Sequence, residues 1–178
     1  NQLNTISTKT AGVIVEPIQG DAGVRIPSKE FLQALRDRCS EVGAMLIFDE
    51  IQTGFGRTGK LFAFEHYNVI PDILTIGKAF GGGMPIGGFI SSNENMKSLT
   101  YNPKLGHITT FGGHPVCCAA ALASLELISD KKLLSKVEIK GRLFEDLLTH
   151  PLIKEIRRKG MFFAIELENE DVVQQVVQ

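Results

Sequence analysis

Three short apolar runs constrain this chain more than any other feature. Residues 11–15 (AGVIV), 45–48 (MLIF) and 73–76 (ILTI) each read as a buried strand, and each breaks on a polar or turn-forming group: Glu16 and Pro17, Asp49 and Glu50, Gly77 and Lys78. Between the first two, Phe31, Leu32, Leu35, Cys39 and Val42 recur at helical spacing, with Ser28 placed as an N-cap and Gly43 just past the end. Pro71 and Asp72 precede the third run, and residues 86–90 offer a fourth strand beyond a glycine cluster. Strand, helix, strand, connection, strand is the pattern of an α/β domain with parallel central strands. Ligands of such sheets lie beyond the carboxyl ends of the strands, so Glu16, Asp49 and Lys78 are expected to converge on one rim.

The second half changes character. Pro115 reads as the first residue of an alanine-rich helix running to Ile128, residues 131–149 suit an amphipathic helix, and residues 161–167 read as a strand before a last helix. The shift in composition near Ser129 and Asp130 divides the chain into residues 1–129 and an incomplete second domain, 130–178. Lys154, Arg157, Arg158 and Lys159 form the densest basic cluster and read as a solvated helix end. With net charge −1 and no longer basic block, nucleic acid and anionic membrane are not expected as partners. No apolar run reaches membrane-spanning length, and Cys39, Cys117 and Cys118 lack framework spacing, so a reducing, cytoplasmic setting is expected. The chain has no initiator methionine and stops in DVVQQVVQ, partway along an amphipathic pattern; it reads as a piece of a longer polypeptide.

Residues 54–60, GFGRTGK, satisfy both G-x-G-x-x-G and G-x-x-x-x-G-K. A nucleotide-binding loop is opposed by Leu61 where a magnesium-binding Ser or Thr must stand, by the acidic strand directly before the motif, and by the repulsion of phosphate by Asp49 and Glu50 at its mouth. Lys78 carries more information. It is the single charge in TIGKAFGGGMPIGG, at the end of an apolar strand, where a neutral amine is available to attack a carbonyl and form a Schiff base. A lysine that snorkels to the surface is the plain alternative. Asp49 ends the preceding strand and needs a cation or several donors; an acid facing a ring nitrogen, together with a lysine imine, is the pairing pyridoxal phosphate requires, and a simple salt bridge is the alternative.

The segments EPIQGDAGV, LIFDEIQTGFGRTGK, PDILTIGKAFGGGMPIGG and TTFGGHP, in this order, strongly resemble the class III pyridoxal-phosphate aminotransferases, the family of ornithine, acetylornithine and 4-aminobutyrate aminotransferases. The resemblance implies part of the large domain of a fold-type I transferase, a mostly parallel sheet flanked by helices, plus the start of a smaller C-terminal α+β domain. It implies transamination from an ornithine-like terminal amine to a 2-oxo acid such as 2-oxoglutarate. By the resemblance Lys78 matches the Schiff-base lysine and proton shuttle, Asp49 the partner of the pyridine nitrogen, and Gln52 the amide on the phenolic oxygen. Thr110 matches a threonine that reaches the cofactor phosphate of a neighbouring subunit, implying a homodimer with shared sites, and Glu16 matches an acid that orders the polar groups or is a buried structural acid.

There are departures. Asp21 stands where ornithine and 4-aminobutyrate enzymes usually carry a glutamate, and His114 replaces a frequent asparagine, with a backbone-shaping or capping role expected ahead of acid/base work. His66 and His107 lack companions at metal-ligand spacing, so no metal is expected. The family's phosphate cradle and ring-stacking aromatic would lie before Asn1 and its carboxylate-binding arginine after Gln178, so residues 1–178 alone are expected to be inactive. A glutamate-1-semialdehyde-type aminomutase and a catalytically silent dimerising domain of the same fold are the alternatives.

Overall fold

The computed structural model describes residues 2–102, 104 and 107–177. Strands β1 (Gly12–Val15), β2 (Met45–Asp49), β3 (Ile73–Ile76) and β4 (Gly88–Ser91) form one sheet in that order. β1, β2 and β3 are parallel and β4 returns antiparallel to β3. The crossover from β1 to β2 is α1 (Lys29–Val42). Its ends are set locally: Ser28 Oγ accepts the Phe31 amide at 3.1 Å, and Gly43, with φ 77°, closes the last turn onto the Cys39 carbonyl. Leu32, Leu35 and Cys39 are the buried stripe of this helix.

Alternation along the strands gives the sheet two unlike faces. Leu46, Phe48, Leu74 and Ile76 are buried on the face that carries the core, whereas Ile14 is 62% exposed and Met45, Ile73, Thr75 and Phe89 line an open apolar groove on the other. After β4 come α2 (Asn93–Ser98), α3 (Pro115–Ile128) and α4 (Lys131–Leu147). His114 is the N-cap of α3 through its backbone, its carbonyl accepting the Cys118 amide at 2.9 Å, which is the backbone role expected of it.

The basic cluster is not a helix end. Residues Ile153–Lys159 are a strand, β5, paired antiparallel with β6 (Phe162–Leu167) through a turn at Gly160, and α5 (Glu170–Val177) follows. The density of cations alone suggests a solvated helix end, but its two arginines are paired with carboxylates. Arg158 bonds Glu138 and Glu145 of α4, and Arg157 bonds Glu155 and, across the hairpin, Glu166. The hairpin turn is seated on the GFGRTG loop: the Met161 amide donates to the Arg57 carbonyl at 2.9 Å, and Gly56 and Gly59 take φ 85° and 90° beneath α4. The loop that mimics a nucleotide motif is thus a packing surface, and Phe55 within it stacks on Phe80 at 5.2 Å, just beyond Lys78.

Candidate active site

The parallel register brings the sequence-predicted charges to one edge. Val15 is level with Phe48 and Asp49 with Thr75, so Glu16, Asp49 and Lys78 emerge in order from three adjacent strand ends about 4.8 Å apart. Asp49 continues the alternation of Met45 and Ile47 and projects on the open face of the sheet. Among the described residues it accepts one hydrogen bond, from the Ile51 amide to Oδ1 at 3.0 Å, leaving Oδ2 for a bound cation or N–H group.

Glu50 faces the opposite way, with Leu46 and Phe48, and is fully buried. It does not guard the mouth of the loop, as the sequence suggested. Its carboxylate accepts from Thr53 Oγ1 at 2.6 Å, the Ala63 amide at 2.9 Å and the Phe64 amide at 2.8 Å, tying residues 53–64 back onto the end of β2. Burial pushes the Glu50 carboxyl up, against the three donors that pull it down. The neighbouring Tyr67 hydroxyl is pushed up to about 12 by its own burial and then by Glu50.

A stability test follows for Glu50. Its folded value is raised, so its contribution is fully present at pH below the unfolded carboxyl range and lost as pH rises through the raised value. The urea midpoint of Glu50→Gln should therefore fall less than wild type over that rise. Glu50→Ala, which strands the Thr53, Ala63 and Phe64 donors, should cost about 3 kcal/mol at neutral pH.

Lys78 differs from the sequence expectation. It is exposed rather than enclosed by apolar neighbours, because Leu74 and Ile76 turn into the core while the chain leaves the strand through Gly77. Lys78 takes φ 46° and opens a single 3-10 turn, Lys78–Gly81, closed by Gly82 at φ 56°. Gly77 lies against Ile51, 3.5 Å from where its Cβ would stand, so the lysine turn and the turn after Asp49 touch. Gly82 is demanded by packing: a Cβ would stand 3.0 Å from the Ala120 carbonyl of α3, while Gly83, with φ 99°, faces open space.

Gln52 completes the rim. Its Nε2 donates to Asp21 Oδ1 at 3.0 Å, and its amide oxygen would lie only 2.6 Å from a Cβ on Gly20. Glu16 is half-buried, and its Oε2 accepts the Gly20 amide at 2.8 Å. Thr110 stands apart, exposed in the turn before α3, with no hydrogen bond to the rim among the described residues. Sequence reasoning did not find the Asp21–Gln52 pair or the part played by Arg157, whose Nε donates to the Gly23 carbonyl at 2.7 Å. Among the described residues no group of three His, Cys, Asp or Glu side chains could hold a metal, and no helix is long and apolar enough to cross a membrane.

Residues 1–178 match the family described as aminotransferase class-III. The chain belongs to the class III aminotransferases. It is 46% identical to the acetylornithine aminotransferase of Methanocaldococcus jannaschii over 97% of this chain and 44% of that protein. Among solved structures, the acetylornithine aminotransferase of Elizabethkingia anophelis superposes with a TM-score of 0.86 at 38% identity, covering 98% of this chain and 46% of that one. An ornithine aminotransferase of Toxoplasma gondii, with pyridoxal phosphate at partial occupancy in its active site, superposes with a TM-score of 0.83 at 38% identity, covering 93% and 40%. The chain therefore spans less than half the length of these relatives, and its fold is the expected α/β arrangement with a mostly parallel sheet. Pyridoxal phosphate is the cofactor of this class III aminotransferase family. The donor set fits that group: a carboxylate oxygen without a donor at Asp49, an oriented amide at Gln52 and an exposed amine at Lys78 share one rim.

Proposed function

We propose that this chain forms the core of a class III transaminase that moves an amino group from the terminal amine of an ornithine-like donor to a 2-oxo acid such as 2-oxoglutarate. The observation that carries this reading is the common edge of β1, β2 and β3, where Glu16 and Asp49, with Gln52, lie at the ends of β1 and β2 and Lys78 lies two residues beyond the end of β3. Bound there, pyridoxal phosphate supplies a carbonyl for the amine and a ring that accepts electrons from the substrate carbon. Lys78 Nζ would hold the cofactor covalently and would carry the proton between substrate and cofactor carbon. Asp49 Oδ2 would hold a proton on the ring nitrogen and the second N–H of Gln52 Nε2 would serve the phenolic oxygen, while Glu16 keeps the Gly20 turn in place beside it.

Thr110, exposed on its turn, serves the cofactor phosphate of a second subunit in a cytoplasmic homodimer. Residues 1–129 make up the cofactor-binding part and residues 130–178 the beginning of a smaller domain. Residues 1–178 by themselves hold the cofactor poorly and do not turn over.

Borohydride reduction of the full-length polypeptide followed by peptide mapping should place the cofactor on Lys78. A label on another lysine, or none, overturns the assignment. Amino transfer to 2-oxoglutarate, measured against internal isomerisation of the donor, separates a transaminase from an aminomutase.

Gly20→Ala tests the rim directly. Gly20 is not among the glycines with positive φ, and the nearest atoms its Cβ would meet are those at the end of the Gln52 side chain. Folding stability should stay within about 0.5 kcal/mol of wild type. Loss of one oriented hydrogen bond should weaken pyridoxal phosphate about tenfold in an absorbance titration.

A further inference from the structure

We propose that Arg157, reaching out of the β5–β6 hairpin, is a positioning residue that clamps the 16–25 loop at the Gly23 carbonyl and so holds Asp21 and the Gln52 amide in place at the cofactor rim. The proposal rests on the function put forward above.

The loop is cross-linked by its own backbone hydrogen bonds. Gln19 and Arg25 exchange both backbone hydrogen bonds at 3.0 Å, and the Gly23 and Val24 amides both donate to the Gly20 carbonyl, at 2.9 and 3.2 Å. Gly20 and Asp21, at its tip, are the two residues that meet Gln52, one by close approach and one by a hydrogen bond. A loop of this kind transmits a displacement of its far side to the Gln52 amide that Asp21 holds.

That far side is strained and held. Val24 takes φ 51°, in the left-handed region that β-branched residues avoid, and is 1% exposed. Gly23, at φ 89°, leaves its Cβ direction free, and Arg157 Nη2 lies 2.9 Å from where that Cβ would stand. Glu155 and Glu166 fix the guanidinium through Nη1, so Nε is aimed at the Gly23 carbonyl and donates at 2.7 Å. A planar fork with three acceptors around it sets direction as well as distance, which an ammonium does not. On the near side Glu16 holds Gly20, so the loop is gripped at both ends. The hairpin that supplies Arg157 is itself seated on the Arg57 carbonyl, beyond Gln52 in the same connection. Its seating is thereby read out at the amide.

The test uses the full-length polypeptide as wild type, Arg157→Met, Arg157→Lys, Gln52→Ala and the Met/Ala double variant. In the cofactor-free protein, Arg157→Met should speed hydrogen exchange of the Gly23 and Val24 amides about tenfold while the amides of α1 stay unchanged. Pyridoxal phosphate, titrated by absorbance, should bind about tenfold more weakly to Arg157→Met and to Gln52→Ala alike, and the double variant should lose no more than the weaker single. Arg157→Lys, able to reach the carbonyl without keeping the Glu166 bond, should fall between. Unchanged exchange overturns the clamp. Losses that multiply in the double variant, or an unaltered affinity in Arg157→Met, overturn the positioning role. A wild type that binds no pyridoxal phosphate overturns the proposed function and with it the link to the rim, while the exchange result still decides the clamp by itself.

Discussion

Replacing Lys78 with alanine in the full-length polypeptide should lower amino transfer by at least about a thousandfold and leave the unfolding midpoint nearly unchanged. The two halves of this expectation have separate causes. The Lys78 side chain is exposed and makes no hydrogen bond or ion pair among the described residues, so its removal takes nothing from the fold beyond about 0.5 kcal/mol. Its left-handed backbone is already occupied by a residue with a Cβ, and alanine adds no strain there. Under the proposed function, transfer depends on the amine both as the covalent holder of the cofactor and as the group that moves the proton, and alanine supplies neither. Lys78→Arg should be as inactive, because a guanidinium stays protonated and is no nucleophile. Amino transfer to 2-oxoglutarate, followed beside a thermal melt, checks both halves; retention of a tenth of the wild-type rate would sink the role given to Lys78.

Gly141→Ala should destabilise the protein by about 3 kcal/mol, the reverse of the usual effect of this change in a helix. A mid-helix glycine ordinarily costs about 1 kcal/mol against alanine, so the substitution alone would help. Here a Cβ on Gly141 would be driven into the carbonyl oxygen of Gly160, at the hairpin turn, with the Arg158 guanidinium beside it. The carbonyl cannot give way. Gly160 has φ 60°, and its own Cβ position is 2.7 Å from the Thr58 backbone, so the turn is wedged between α4 and the GFGRTG loop. Overpacking against backbone therefore outweighs helix propensity. Chemical denaturation of the full-length polypeptide decides it, and a rise in stability would show that the hairpin has room to shift.

Where the deciding signal is local, structure was legible in the chain. Ser28 and Gly43 mark the ends of α1 because a cap is chosen by the few backbone groups beside it. The runs at 45–48 and 73–76 became β2 and β3, as stretches too short for a helix and bounded by turn-forming residues suggest, although each is covered on one face only. The row of Glu16, Asp49 and Lys78 followed from parallel strands, whose carboxyl ends share an edge. β5 was hidden, since its arginines pair with Glu138, Glu145 and Glu166, and nothing near them in sequence announces those partners. Glu50 was hidden for a related reason. Period-2 alternation puts Asp49 and Glu50 on opposite faces, but only the packing of residues 53–64 determines which face is closed.

By itself, then, the sequence determined the strand ends, the caps of the first helix, the family and the lysine, acid and amide proposed to serve its chemistry, because each depends on contiguous residues or on a motif. Tertiary structure alone decided that Lys78 stands in the open, that Glu50 is an internal anchor, and that Gln52 is held by Asp21 on a loop gripped by Arg157. Those are relations between groups far apart along the chain, and their energies exist only once burial and crossover have brought the groups within hydrogen-bonding distance.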